Sequence, residues 1–190
     1  MLETMRSEEE LIKLCLKKDS RAQEEFYRRF APKMYGVCLR FARNQMEADD
    51  ILQEGFIKVF LNLKSFRNEG SLEGWIRRTI VNTAINHFKK NLKFQSDVDI
   101  DHAGGISHEC AGGYSHIRTE ELLKLISGLP VGYRMVFNLN VIEGYTHKEI
   151  SELLGISENT SKSQLSRARQ TLQRKLEELT GKAAEDERTV

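Results

Sequence analysis

The chain has 190 residues, of which 39% are hydrophobic and 30% charged, and 29 Lys and Arg against 28 Asp and Glu leave a net charge of +1. That length holds one ordinary domain or two small ones, and overall charge alone points to neither nucleic acid nor membrane. Composition excludes collagen-like, mucin-like and low-complexity classes.

Two prolines, Pro32 and Pro130, favour long helices over a turn-rich β architecture. No apolar run nears the roughly 20 residues that cross a bilayer, so membrane insertion is not expected. The first residues, Met1 to Arg6, lack the apolar core of a signal peptide. Three cysteines (Cys15, Cys38, Cys110) without motif spacing suit a reduced, cytoplasmic chain better than a disulfide scaffold.

In chain order, Ser20-Arg21-Ala22-Gln23 reads as a capping box. Phe26, Phe30, Met34, Val37 and Phe41 then recur at three or four residues, the stripe of an amphipathic helix. Asn44 to Glu47 supplies a second cap. The helix behind it places Leu52, Phe56, Val59, Phe60 and Leu63 on one face and Asp50, Gln53, Glu54 and Ile57 on the other. That second face is acidic with an apolar centre; a solvated surface and a protein-docking surface both explain it, and its sign excludes nucleic acid.

A loop over Lys64–Gly70 precedes a helix expected from about Ser71 to Lys90, with Ile76, Ile80, Ala84 and Phe88 as its core stripe. Residues 62–90 carry six basic against two acidic groups, a local charge of +4. Arg78, Asn82, Asn86, Lys89 and Lys90 fall on the outer arc, with Trp75 among them. Cations interleaved with an aromatic ring suit single-stranded nucleic acid, the charges holding the backbone and the ring stacking an unpaired base. Phe66, Arg67 and Asn68 in the loop would line a pocket for such a base. A Trp75 partly buried in the core is the alternative reading.

Periodicity is lost over 91–118, where Asp97, Asp99 and Asp101 and two Gly pairs suggest a flexible acidic linker. His102, His108, Cys110 and His116 lie here at spacings that match no standard zinc pattern, so no metal is expected. The three aspartates lack the Gly and Glu that a calcium loop requires. Thr119-Glu120-Glu121 restarts a helix with acidic residues in its first turn.

Thr146-His147-Lys148-Glu149 is a capping box opening a short helix with Ile150, Leu153 and Leu154 as apolar positions. Gly155 stands where the chain turns, and a new helix starts near Ser157 or Glu158. This is the spacing of a DNA-binding helix-turn-helix. On the second helix Leu165, Ala168, Leu172 and Leu176 fall inside, while Asn159, Lys162, Ser163, Ser166, Arg167 and Arg174 fall outside. Residues 158–175 carry five basic groups against Glu158 alone, again +4. Ser161 is an oddity, since it falls on the inner face where an apolar side chain would pack better. A plain helical hairpin with a solvated face is the alternative, but it does not ask for this charge.

Together these segments carry a family resemblance. The run Glu47-Ala48-Asp49-Asp50-Ile51-Leu52-Gln53-Glu54-Gly55-Phe56-Ile57-Lys58-Val59, continued by Gly74–Arg78 and Asn82–Asn86, resembles region two of bacterial sigma factors. Leu129-Pro130 through Phe137, Gly144–Ile150, and Thr160 to Arg169 resemble region four. The reduced layout is similar to the extracytoplasmic-function (ECF) group. Gly55 and Ser161 depart from the pattern, which usually has an apolar or small β-branched residue and a Val there.

The resemblance implies an all-α fold of two small helical domains joined by a flexible linker. It implies a region-two domain over 8–92, a linker over 93–118 and a region-four domain over 119–178. It further implies that Asp50, Gln53, Glu54 and Ile57 meet the β′ clamp of core RNA polymerase, with the β flap as a second contact. Phe66, Arg67, Asn68, Trp75, Arg78, Asn82, Asn86, Lys89 and Lys90 would capture the melted non-template strand of the minus-ten element. Asn159, Lys162, Ser163, Ser166 and Arg167 would read the minus-thirty-five duplex. An anti-sigma factor is a further expected partner. A helix-turn-helix regulator acting without stable incorporation into RNA polymerase explains the second half equally well but leaves the face around Trp75 without a role. No P-loop, nucleophile elbow or paired catalytic acid is visible, so neither an enzyme nor a cofactor is expected.

Overall fold

The structure, a computed structural model, describes residues 6–95 and 114–186. Every regular element among the described residues is helical: α1 (Glu8–Leu16), α2 (Ser20–Phe41), α3 (Gln45–Asn62), a 3-10 turn (Leu63–Ser65), α4 (Leu72–Gln95), α5 (Tyr114–Ser127), α6 (Val131–Phe137), a π turn (Asn138–Ile142), α7 (His147–Leu154) and α8 (Glu158–Asp186). The chain forms two compact units that divide between Lys90 and Asn91. Each is described by itself.

In the first unit, local chemistry fixes each helix start. The Ser7 hydroxyl accepts from Glu10 N, and three glutamates occupy the first turn of α1, where the helix dipole favours them. Asp19, rather than the predicted Ser20, caps α2: its Oδ1 accepts from Ala22 N at 2.8 Å. The helix begins one residue earlier than the spacing predicts, because Asp19 has the extended backbone of a cap (φ −66°, ψ 116°) and Ser20 is already helical. Asn44 caps α3 as expected, accepting from Glu47 N at 2.8 Å while Glu47 reaches back to Arg43 N at 2.6 Å.

Aromatic side chains join α2 to α3. Phe26 lies 4.9 Å from Phe30 and 5.4 Å from Phe60 between ring centroids, and Tyr27 meets Phe56 edge-on at 4.8 Å. Ile76, Ile80, Val81, Ala84 and Ile85 of α4 are buried with them, a broader face than the predicted stripe, and Phe88 is only partly covered. Gly55 explains how α4 comes so close. A Cβ built there would lie 2.3 Å from Ile80 Cδ1, so the glycine makes room for that side chain. Cys15 and Cys38 are buried, and burial raises their thiols to about 11 and about 12, which keeps both protonated at neutral pH.

The second unit packs Leu125, Leu129, Ala168 and Leu172 together, with Tyr133 and Phe137 of α6 covering them. Arg134 is buried and donates to Ser127 O at 2.7 Å, and Lys175 of α8 donates to Gly128 O at 3.0 Å, so two cations satisfy carbonyls at the end of α5. Leu176, predicted inside, is 46% exposed, because its side chain lies past the cluster at the rim of a shallow groove shared with Phe137 and Arg169. The helices flanking the predicted linker run further into it than periodicity suggested, α4 ending at Gln95 and α5 beginning at Tyr114. Residues 96–113, with the three aspartates, His102, His108 and Cys110, lie outside the described residues.

Filling the space at Gly55 tests this packing. Gly55→Val is expected to lower the unfolding free energy of the first unit by about 2 kcal/mol through overpacking, and Ile80→Val in that background to recover part of the loss. Urea unfolding followed by the fluorescence of Trp75, the sole tryptophan, reads this unit specifically. An undiminished midpoint in Gly55→Val would contradict the packing.

Candidate functional site

Three surfaces draw on the residues singled out in the sequence. On α3, Asp50, Gln53 and Ile57 are exposed, Ile57 at 54%. Two further residues share their stripe at helical spacing, Met46 and Leu61, each 76% exposed. Sequence reasoning passed over both, although positions 46, 50, 53, 57 and 61 follow the three-or-four rule.

Glu54 sits at the edge of that face, half-buried, with both oxygens engaged. Its Oε1 is 2.7 Å from Lys58 Nζ and its Oε2 2.5 Å from His87 Nε2 on α4. These two partners, the Lys58 bond foremost, hold the Glu54 carboxyl below the usual carboxylate range against the opposing effect of burial. Lys58 also reaches the hydroxyl of the buried Thr83 at 3.4 Å.

The second surface is a cleft of about 440 Å³ between the 63–71 loop and the start of α4, within the roughly 300–1,000 Å³ range of ligand-binding clefts. Phe66, Arg67, Trp75 and Arg78 line it together with Glu69 and Ser71. The rings of Phe66 and Trp75 stand 5.7 Å apart at 53°. Trp75 is therefore partly packed, against Phe66, and still open to the cleft. Asn68 takes a left-handed conformation (φ +59°) and bends the loop without lining the cleft. Ser71 caps α4 by accepting from Gly74 N at 3.1 Å, which fixes the wall that carries Trp75. Further along α4, Asn82, Asn86 and Lys90 are exposed and Lys89 is half-buried.

The third surface belongs to α7 and α8. The Thr146 hydroxyl accepts from Glu149 N at 3.2 Å, and Glu149 Oε2 accepts from Thr146 N at 2.8 Å, so the predicted box is complete. Gly155 ends α7 with φ +70°, a conformation that favours glycine. Ser157 then caps α8 by accepting from Thr160 N at 3.0 Å. Asn159, Lys162, Ser163, Ser166 and Arg167 are all exposed along one side of α8. Ser161 is fully buried, and its Oγ lies 2.9 Å from His147 Nδ1. The hydroxyl that looked misplaced bridges the two helices of the motif.

The geometry thus presents a non-basic, partly apolar exposed stripe, a cationic aromatic cleft and a helix-turn-helix. The family model described as Sigma-70 region 2 matches residues 26–93, and the one described as Sigma-70, region 4 matches residues 119–172. The chain belongs to the sigma-70 family, in its ECF group. It is similar to the RNA polymerase sigma-H factor of Pseudomonas aeruginosa, 26% identical over 191 residues that cover 95% of this chain and 99% of that relative. The ECF RNA polymerase sigma-E factor of Escherichia coli K12 is 27% identical over 180 residues, covering 89% and 94%. The fold is that of a sigma factor RpoE solved with the anti-sigma factor NepR from Bartonella quintana, with TM-score 0.55 and 20% identity over 81% of this chain and 96% of that one.

As a sigma factor, this protein directs promoter-specific initiation by RNA polymerase. Among the described residues no helix is long and apolar enough to cross a membrane, and no group of three or more His, Cys, Asp or Glu could hold a metal ion.

The Glu54 clasp carries a pH signature. A carboxyl held low in the folded state contributes stability at and above the ordinary value of about 4.3, and loses it as pH falls through the lower folded value. Glu54→Gln is expected to be less stable than the wild type at pH 7, the difference closing in acid. Urea midpoints read by Trp75 between pH 3 and 7 check this, and a gap independent of pH would count against the clasp.

Proposed function

We propose that this sigma factor divides initiation among its three surfaces. Asp50, Gln53 and Ile57 of α3, with Glu54 at their edge, dock on the β′ clamp of core polymerase, and the second unit meets the β flap. The cleft of Phe66, Arg67, Trp75 and Arg78 takes an unpaired base of the minus-ten non-template strand, with Asn68 shaping its loop. Asn82, Asn86, Lys89 and Lys90 carry the neighbouring backbone. Asn159, Lys162, Ser163, Ser166 and Arg167 lie in the major groove of the minus-thirty-five duplex.

The observation that carries this reading is the Phe66–Trp75 cleft flanked by two arginines. A duplex-reading regulator has no use for two tilted aromatic rings facing a cleft, whereas an unstacked base does. The sign of the charge supports the rest, since the α3 face has nothing to attract phosphate. Affinity follows from linkage. Core polymerase holds two weak DNA readers at a set separation, and effective concentration supplies what neither has alone. Capturing the base offsets part of the few kcal/mol needed to unpair it. The protein itself performs no chemistry and acts in the cytoplasm. Held apart from polymerase by an anti-sigma factor covering these faces, it would be silent.

Run-off transcription from a genomic fragment library, with core polymerase and with or without this protein, tests the assignment. On a promoter so found, Trp75→Ala is expected to abolish strand opening, read by permanganate reactivity, while leaving closed-complex affinity within about twofold. Equal loss of both would remove the role of the ring. Lys162→Ala is expected to weaken closed-complex binding and to lower the slope of log affinity against log salt by about one.

A further inference from the structure

Tyr133 lies on α6, outside both helices of the helix-turn-helix, yet its hydroxyl is 3.3 Å from Arg167 NH1 on the outer side of α8. The ring of Tyr133 packs against the cluster of Leu125, Leu129, Ala168 and Leu172, so the phenol oxygen has a fixed position. The Arg167 side chain is exposed and otherwise free to sample its rotamers.

The cations of this helix differ in their neighbours. Lys162 has the Glu158 carboxylate at 3.9 Å, and Arg174 has that of Glu178 at 3.8 Å. The neighbour of Arg167 is a neutral hydroxyl instead. A carboxylate orients a cation by cancelling part of its field, and a phosphate must displace it. A phenol orients the guanidinium and leaves its charge whole. Because the phenol oxygen accepts from Arg167, its own O–H proton remains to be donated, as do the other guanidinium N–H groups. At 3.3 Å the contact is long, so it steers the side chain without locking it.

We propose that Tyr133 and Arg167 form a two-point clamp on a single phosphodiester of the duplex read by α8, the phenol donating to one oxygen and the guanidinium to the other. This rests on the reading of α8 given above. The ligand is a backbone phosphate because its two anionic oxygens accept one donor each from the phenol and the guanidinium; a guanine edge also accepts from donors, and the methylphosphonate scan below separates the two. Tyr133 is thereby both a positioning residue for Arg167 and a DNA contact contributed by α6. The entropy of ordering Arg167 is partly met before DNA arrives.

The test uses holoenzyme reconstituted with core polymerase on a promoter found by the run-off screen, with closed-complex affinity measured on the intact duplex. Tyr133→Phe keeps the packed ring and is expected to leave thermal unfolding unchanged while weakening binding about fivefold, the worth of one hydrogen bond. In an Arg167→Ala background the same change is expected to cost less than twofold. A scan replacing single upstream phosphates by uncharged methylphosphonates should find one position where wild type loses affinity and Tyr133→Phe loses much less. Wild-type affinity in Tyr133→Phe, or losses from the two substitutions that simply multiply, would overturn the clamp. A wild-type holoenzyme indifferent to the upstream duplex would instead overturn the α8 reading on which the clamp stands.

Discussion

The missing side chain at Gly55 is the constraint on which the first unit depends. Where most residues would hold two helices apart, the space at Gly55 is taken by Ile80. α3 and α4 therefore pack closely, one turning an exposed non-basic stripe outward and the other an exposed arc with Asn82, Asn86 and Lys90. The Glu54–His87 contact ties the same two helices a few residues along. The face proposed for the polymerase and the arc proposed for the opened strand therefore stand on two helices in direct contact.

The second unit adds direction to its packing. Around the core of Leu125, Leu129, Ala168 and Leu172 stand polar contacts of defined direction: a box at Thr146, an αL glycine at 155, the Ser161–His147 bridge, and two cations on the carbonyls that end α5. Directional contacts set an angle more sharply than apolar ones. That suits a motif whose second helix must enter a groove of fixed width.

Much of this was legible in the amino-acid order. Caps, stripes and the glycine turn are local, and the cap at Asn44, the box at Thr146 and the turn at Gly155 stand where spacing put them. The exposed line along α8 followed from helical arithmetic alone. What could not be read joins distant positions. His87 lies 33 residues from Glu54, and Tyr133 lies 34 from Arg167, so no periodicity links either pair. Ser161 seemed an error for the same reason, because its partner sits on another helix. The shift to Asp19 is different in kind, set by where the helical backbone begins. Leu176 misled because helical phase predicts which way a side chain points, but not whether a neighbour is there to meet it.

The π turn after α6 gives the angle of Tyr133 an unusual tolerance. Over Asn138–Ile142 the chain closes its rings one residue wider, Glu143 N donating to Asn138 O at 2.9 Å. A π turn accommodates one residue beyond the α-helical count, and one residue is worth about 100° of helical rotation. Loss of a single codon there would be absorbed by relaxation to ordinary α geometry, with little damage to the turn itself. α6 upstream would keep its phase and the phenol its aim at the guanidinium, so chain length is free to change at this one point without being felt beyond it.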